Sequence, residues 1–359
     1  MKHLILFMAW FALPWASHSQ DLSELIEDLE SRVQFGLFTD FQTEFNDEER
    51  DAEFYSGHVV GHITATLSRR LQYFAEITLS PELGVPGQAN LERAFFKFFL
   101  NDQLQMRFGR IHTPVSLWNQ RYHHGQYLQT SVNRPQVMVA TEHLTPMHSI
   151  VAEVGGSYST GAGSFLYRLG AGATEDHVHE PGESVPVSKN PSFYTGFEFE
   201  PSWTTRWLVG AKYYRETMDS HHEASIDAGF AHEDVKSEEV LSGHIRVETL
   251  RWALMAEHVL VAHSDKTHKH RSTGSYVQAE YQLAGFEDRM VVYGRFETLT
   301  KDGKDPLFMH EEHLAWRGVT SGVRLNVAPR VALTTELRLY GQDWTLPNHH
   351  LYVQLSAAF

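Results

Sequence analysis

The sequence predicts an all-β protein, a transmembrane antiparallel β-barrel of about 16 strands with short periplasmic turns and long extracellular loops. Three observations predict it. The chain alternates apolar and polar residues with period two, it closes successive segments by short turns and long polar loops in strict succession, and it opens with an export segment. Period two puts successive side chains on opposite faces of a strand. Leu351, Val353, Leu355 and Phe359 therefore share one face, and Tyr352, Gln354 and Ser356 the other. The same split separates Leu333, Leu337 and Leu339 from Thr334, Glu336 and Arg338, so charge is confined to one face.

The elements follow in order. Residues 1–19 read as a signal peptide, with Lys2 ahead of an apolar run from Leu4 to Trp15 and small Ser17 and Ser19 before the cut. Residues 20–32 are a short periplasmic lead with Leu22, Leu25, Ile26 and Leu29 at helical spacing, and residues 33–359 are the barrel. Strands are expected near 33–45, 54–67, 71–80, 91–100, 103–111, 148–157, 164–173, 192–200, 206–216, 238–249, 251–261, 274–284, 289–300, 316–327, 331–341 and 349–359. Long loops are expected at 46–53, 81–90, 112–147, 174–191, 217–237, 262–273, 301–315 and 342–348. The third of these is long enough to fold back into the lumen. A soluble β-sandwich would bury apolar side chains on the face where this chain puts Glu, Arg and Gln.

Composition removes other classes. No segment after residue 20 approaches the roughly 18 apolar residues of a membrane-spanning helix. The absence of cysteine excludes disulfides, thiolate metal sites and a lipidated N-terminus. A formal net charge of -15 argues against nucleic acid as a partner. Ser220-His221 and Gly274-Ser275 lack the strand-to-helix turn of a nucleophile elbow, so no enzyme is expected.

The runs Leu91-Glu92-Arg93-Ala94-Phe95-Phe96, Leu104-Gln105-Met106-Arg107-Phe108-Gly109-Arg110, Thr113-Pro114-Val115 and Trp118-Asn119-Gln120-Arg121-Tyr122 resemble a segment of Gram-negative outer-membrane porins of the phosphate-selective O and P family. The resemblance covers about thirty residues; it implies a channel in the cell outer membrane, usually a homotrimer, whose third loop narrows the pore. The terminal Phe359 resembles the signal that barrel-assembly machinery reads. Lipopolysaccharide and outer-membrane lipids are the expected surroundings, and small solutes or ions the cargo.

The expected lumen wall is mixed. Arg107, Arg168, Lys212, Arg246, Arg295, Arg324 and Arg338 interleave with Asp40, Glu76, Glu153, Glu198, Glu248, Glu280, Glu297 and Glu336. Phosphate selection needs a single-sign ladder that replaces anion hydration, and this pattern does not supply one. Arg93, Arg107, Arg110, Arg121 and Arg134 around the third loop are the candidates for an electropositive constriction, with Glu76, Arg295, Arg324 and Arg338 on the wall. The chain also holds 23 histidines, many of them on expected outer loops, so divalent metal ions are possible ligands there. The candidate ligands are His123, His124, His177, His179, His221, His222, His310 and His313, with Asp176, Glu180, Glu311 and Glu312 beside them. Three functions stay open: a passive channel for small hydrophilic solutes or ions, a divalent-metal or metal-chelate uptake channel, and a non-conducting surface adhesin or receptor. No resident cofactor is expected.

Overall fold

A computed structural model describes residues 32–46, 51–55, 57–80, 88–123, 126–138, 145–174, 190–217, 237–265, 267–287, 289–306, 308, 315–341 and 348–359. The signal peptide and all of the lead except Arg32 lie outside the described residues. The rest form one closed antiparallel sheet of sixteen strands. They are β1 (Val33–Asn46), β2 (Asp51–Tyr55 and Val59–Ser68), β3 (Leu71–Ser80), β4 (Gln88–Asn101), β5 (Leu104–His112), β6 (His148–Thr160), β7 (Gly163–Thr174) and β8 (Ser192–Pro201). The second half comprises β9 (Arg206–Thr217), β10 (Ser237–Glu248), β11 (Trp252–Ser264), β12 (Lys269–Gln282), β13 (Met290–Thr300), β14 (Ala315–Ala328), β15 (Val331–Gly341) and β16 (Asn348–Ala358). Each strand pairs with its neighbours in sequence, and β1 closes the cylinder on β16, with Phe38 opposite Ala358 and Asn46 opposite His350. Closure removes every sheet edge, which a membrane's apolar interior requires.

β2 is a single strand broken in the middle. Both of its parts pair with β1, the outer part on residues 42–46 and the inner part on residues 33–39. Where the chain steps around Asp40, a Cβ on Gly57 would lie 1.2 Å from the Asp40 carbonyl oxygen, so only glycine fits. The His58 N–H donates to the Asp40 carboxylate at 3.2 Å and closes the gap.

The faces divide as the alternation predicts, with the inside polar and the outside apolar. Leu337, Leu351 and Leu355 stand on the outer surface at about two-fifths exposure, whereas Glu336, Tyr352 and Gln354 between them are buried. An outward apolar band is the lipid-facing surface of an outer-membrane barrel. Tyr158, Trp203, Trp252, Tyr281 and Phe286 stand exposed at the short-turn end, forming the aromatic girdle expected at a bilayer interface. One expected loop is corrected: β12 begins at Lys269 and β11 runs to Ser264, so most of 262–273 is strand. The pairing of Ala262 with Arg271 and of Ser264 with Lys269 extends this hairpin above the positions where the apolar alternation fades.

Leu337 lies mid-strand on the lipid face. Leu337→Arg is expected to cost roughly 2–4 kcal/mol of folding stability in lipid vesicles. A conservative change two residues away on the same outward face, Thr335→Ser, should leave it within about 0.5 kcal/mol; urea titration of vesicle-inserted protein measures both.

Candidate functional site

The connection from β5 to β6 enters the barrel. Ser116 caps a short helix, α1 (Leu117–Tyr122), by accepting from the Asn119 N–H at 2.8 Å. The side chains of Leu117 and Trp118 are buried in a cluster with Val115, Val259 and Tyr276. The first two helix N–H groups have no partner within the helix. Both donate to Glu257 on β11, Leu117 at 2.7 Å and Trp118 at 3.4 Å, and the Tyr276 hydroxyl donates to the same carboxylate at 3.0 Å.

The loop continues along the inner wall by the same device. Glu336 accepts from the backbone of Val132 at 2.8 Å and of Asn133 at 3.2 Å, and Glu297 accepts from Gln136 at 2.6 Å. Glu280 accepts from the Thr130 hydroxyl at 2.9 Å. Arginines hold the loop carbonyls: Arg295 donates to Asn133 and Arg134, and Arg324 to Gln129. Arg338 donates to the Gln136 side chain at 2.6 Å, and Lys212 to Gln120 at 2.7 Å. Residues from β9 to β15 thus carry the loop.

The wall on the other side keeps a basic recess. Lys97, Arg107 and Arg168 line a cavity of about 310 Å³ with Glu153, Gln105, Gly155 and Ser157. Arg107 is held by two 2.6 Å hydrogen bonds to Glu153, whose second oxygen also accepts from Tyr194 at 2.7 Å. Gly155, opposite Arg168, leaves the space that this long side chain fills. Three cations therefore line one concave pocket with a single carboxylate, Glu153.

The expected site residues separate into groups. Arg93 is paired with buried Glu76 at 2.6 Å, and Arg110 donates to the Glu92 carbonyl at 3.0 Å. Arg121 is exposed at the end of α1, and the Arg134 guanidinium lies 3.5 Å from the His123 ring. Arg295, Arg324 and Arg338 are buried against the loop, so the expectation that they face the open lumen is corrected. Their charge faces carbonyls and carboxylates of the loop instead. Phe359 pairs with Leu37 through two backbone bonds of 2.8 and 3.1 Å, placing the terminal aromatic on the outer surface.

Among the metal candidates, His123 lies beside His112, His148 and Glu92. His124, His177, His179, His221, His222, His310 and His313 lie outside the described residues. Lys97, His112 and Glu92 were not singled out from the sequence. For Lys97 the signal was present, since Phe95, Lys97 and Phe99 alternate with outward Phe96 and Phe98. At the outer rim, His263 bridges Glu238 and Asp305, and His270 bridges Asp265 and Asp302. In the turn after β11, the Thr267 and His268 N–H groups hold the Asp265 carboxyl well below the usual carboxylate range. That turn keeps its support through mild acid and loses it only as pH falls through the lowered value.

Removing one carboxylate dock should loosen the loop without opening the barrel. Glu336→Ala orphans the Val132 and Asn133 N–H groups and is expected to weaken docking by about 1–3 kcal/mol. Limited proteolysis should then cut within 113–147, while circular dichroism keeps its β signature.

No protein-family model and no curated protein matches the sequence. Solved structures do match across nearly the whole chain. OprB of Pseudomonas putida superposes with a TM-score of 0.64 at 12% identity, covering 94% of this chain and 97% of its own. An anion-selective porin from Comamonas acidovorans gives 0.62 at 9%, covering 91% and 99%. OmpF of Salmonella typhi, in complex with daunomycin, gives 0.62 at 10%, covering 91% and 97%. The barrel has the fold of outer-membrane porins.

Proposed function

We propose that this chain is an outer-membrane porin, a passive channel for small hydrophilic solutes and ions whose third loop forms the constriction. The observation that supports the reading is the docked loop: segments of residues 113–138 are bound to the β9–β15 wall, and a basic recess lies on the β4–β7 side. Solute passing there meets Lys97, Arg107 and Arg168 around Glu153, while Glu198, which also faces Arg168, is shared with Lys212 and His244. Fixed cations in a narrow, low-dielectric passage attract anions, so the channel prefers them. The similarity of residues 91–122 to phosphate-selective O and P porins, and the anion selectivity of the Comamonas porin, agree with that sign. Three cations around one carboxylate make a preference rather than a phosphate ladder, and small oxyanions are the favoured class.

The chain is exported on residues 1–19, inserted by assembly machinery that reads Phe359, and surrounded by lipid and lipopolysaccharide. It works as a homotrimer, the form recorded for one structure of OmpT of Vibrio cholerae, whose fold is shared (TM-score 0.54, 10% identity). Molar mass in detergent checks the assembly, and a monomer contradicts it.

Reversal potentials in planar bilayers across a KCl gradient test the function. Wild-type channels are expected to pass chloride several-fold better than potassium, and Lys97→Glu with Arg168→Glu to reverse that order. Absence of conductance, or potassium preference in the wild type, contradicts the proposal.

A further inference from the structure

A second cluster lies where the third loop leaves the wall, and none of its members lines the basic recess. His112 ends β5 and His148 begins β6, and the two are directly paired across the strands. Opposed residues of an antiparallel pair bring their Cβ atoms to roughly 4.5–5.5 Å, so the two imidazoles stand side by side. Their ring centroids are 5.3 Å apart. His123 follows the last turn of α1 and brings its ring to 4.4 Å from His112 and 5.4 Å from His148.

The fourth member comes from a fault in the sheet. Opposite Glu76 and Ile77, β4 offers Arg93 and Leu91, and the extra residue between them is Glu92. This β-bulge turns two consecutive side chains inward. Arg93 reaches Glu76, and the Glu92 carboxylate stands 2.9 Å from His148 Nε2. Glu92, His112 and His123 are each less than a tenth exposed.

We propose that Glu92, His112, His123 and His148 form a binding site for a first-row divalent cation of the Zn²⁺ class. Each offers one ligand atom, and these atoms all lie within 4.8 Å of one another. Tetrahedral zinc with bonds of about 2.0–2.1 Å sets its ligand atoms roughly 3.3–3.5 Å apart, so closing on an ion takes side-chain movements of about 1 Å. Three neutral imidazoles and one carboxylate are a donor set suited to Zn²⁺, Co²⁺ or Ni²⁺ and poorly suited to Ca²⁺ or Mg²⁺. Arg134, 3.5 Å from the His123 ring, opposes the cation; Glu76, 3.8 Å from His112, favours it.

The ion would join three wall strands to the end of the loop helix. Resting on the porin reading, it would be a clamp that fixes the constriction, and divalent metal would change the conductance. The binding test does not depend on that reading.

Untagged full-length protein, stripped with chelator and held in detergent, is titrated with Co²⁺ alone. An intense visible absorption band, the mark of four-coordinate cobalt, is expected at one ion per chain, and Zn²⁺ should displace it. His112→Ala with His148→Ala should abolish the band, although the outer-loop histidines remain. His123→Asn, a change outside the strands, should do the same and stands in if the double variant fails to fold. Arg134→Gln should tighten Co²⁺ binding several-fold. No such band in the wild type, or an undiminished band in folded His123→Asn, overturns the site. A bound metal with no conductance rejects the channel reading alone.

Discussion

The structure turns on buried carboxylates that accept backbone N–H groups from the third loop. Glu257 at the start of α1, Glu297 under Gln136 and Glu336 under Val132 and Asn133 are each almost wholly buried. A buried carboxylate without partners carries a penalty of several kcal/mol. A loop backbone inside a barrel carries its own unsatisfied donors. Each requirement satisfies the other, so the docked loop gives the buried carboxylates their partners and the carboxylates hold the loop.

This constraint divides the lumen. The β9–β15 wall is occupied by the loop, and its arginines neutralise the same carboxylates that receive the loop. On the β4–β7 side Arg107 is paired with Glu153, Lys97 and Arg168 extend the positive charge around it, and the Glu198 that faces Arg168 is shared with Lys212 and His244. A chain with an acidic total can therefore present a basic recess, because local pairing and not net charge sets the field there. The bulge at Glu92 works at the seam between the two sides. It brings one carboxylate to three imidazoles where the loop leaves the wall, and a cation there would add a third kind of tie to the hydrogen bonds and ion pairs.

Much of the fold was legible because a barrel wall writes itself with period two. Leu351 and Leu355 against Tyr352 and Gln354 already gave the faces of β16, and the order of short turns and long loops gave sixteen strands. The hairpin of β11 and β12 was misjudged because Ala262, His263 and His270 carry little alternation, and its pairing is set by the backbone. The candidate site was less legible. Arg295, Arg324 and Arg338 point inward as expected, but whether an inward arginine meets water or a folded loop depends on contacts more than 150 residues away in sequence. The Glu92 cluster could not be read at all without the bulge, since strict alternation puts Glu92 and Arg93 on opposite faces.

The third loop lies against β9–β15 inside the barrel, and because the chain has no cysteine a thiol pair can be placed cleanly across that contact. Gln120→Cys with Lys212→Cys replaces a contact of 2.7 Å between loop and wall. In intact outer membranes, a short bismaleimide should join the two positions and retard the chain's unfolding-dependent gel shift. If both thiols react with single maleimides and no cross-link forms, the loop does not occupy the lumen.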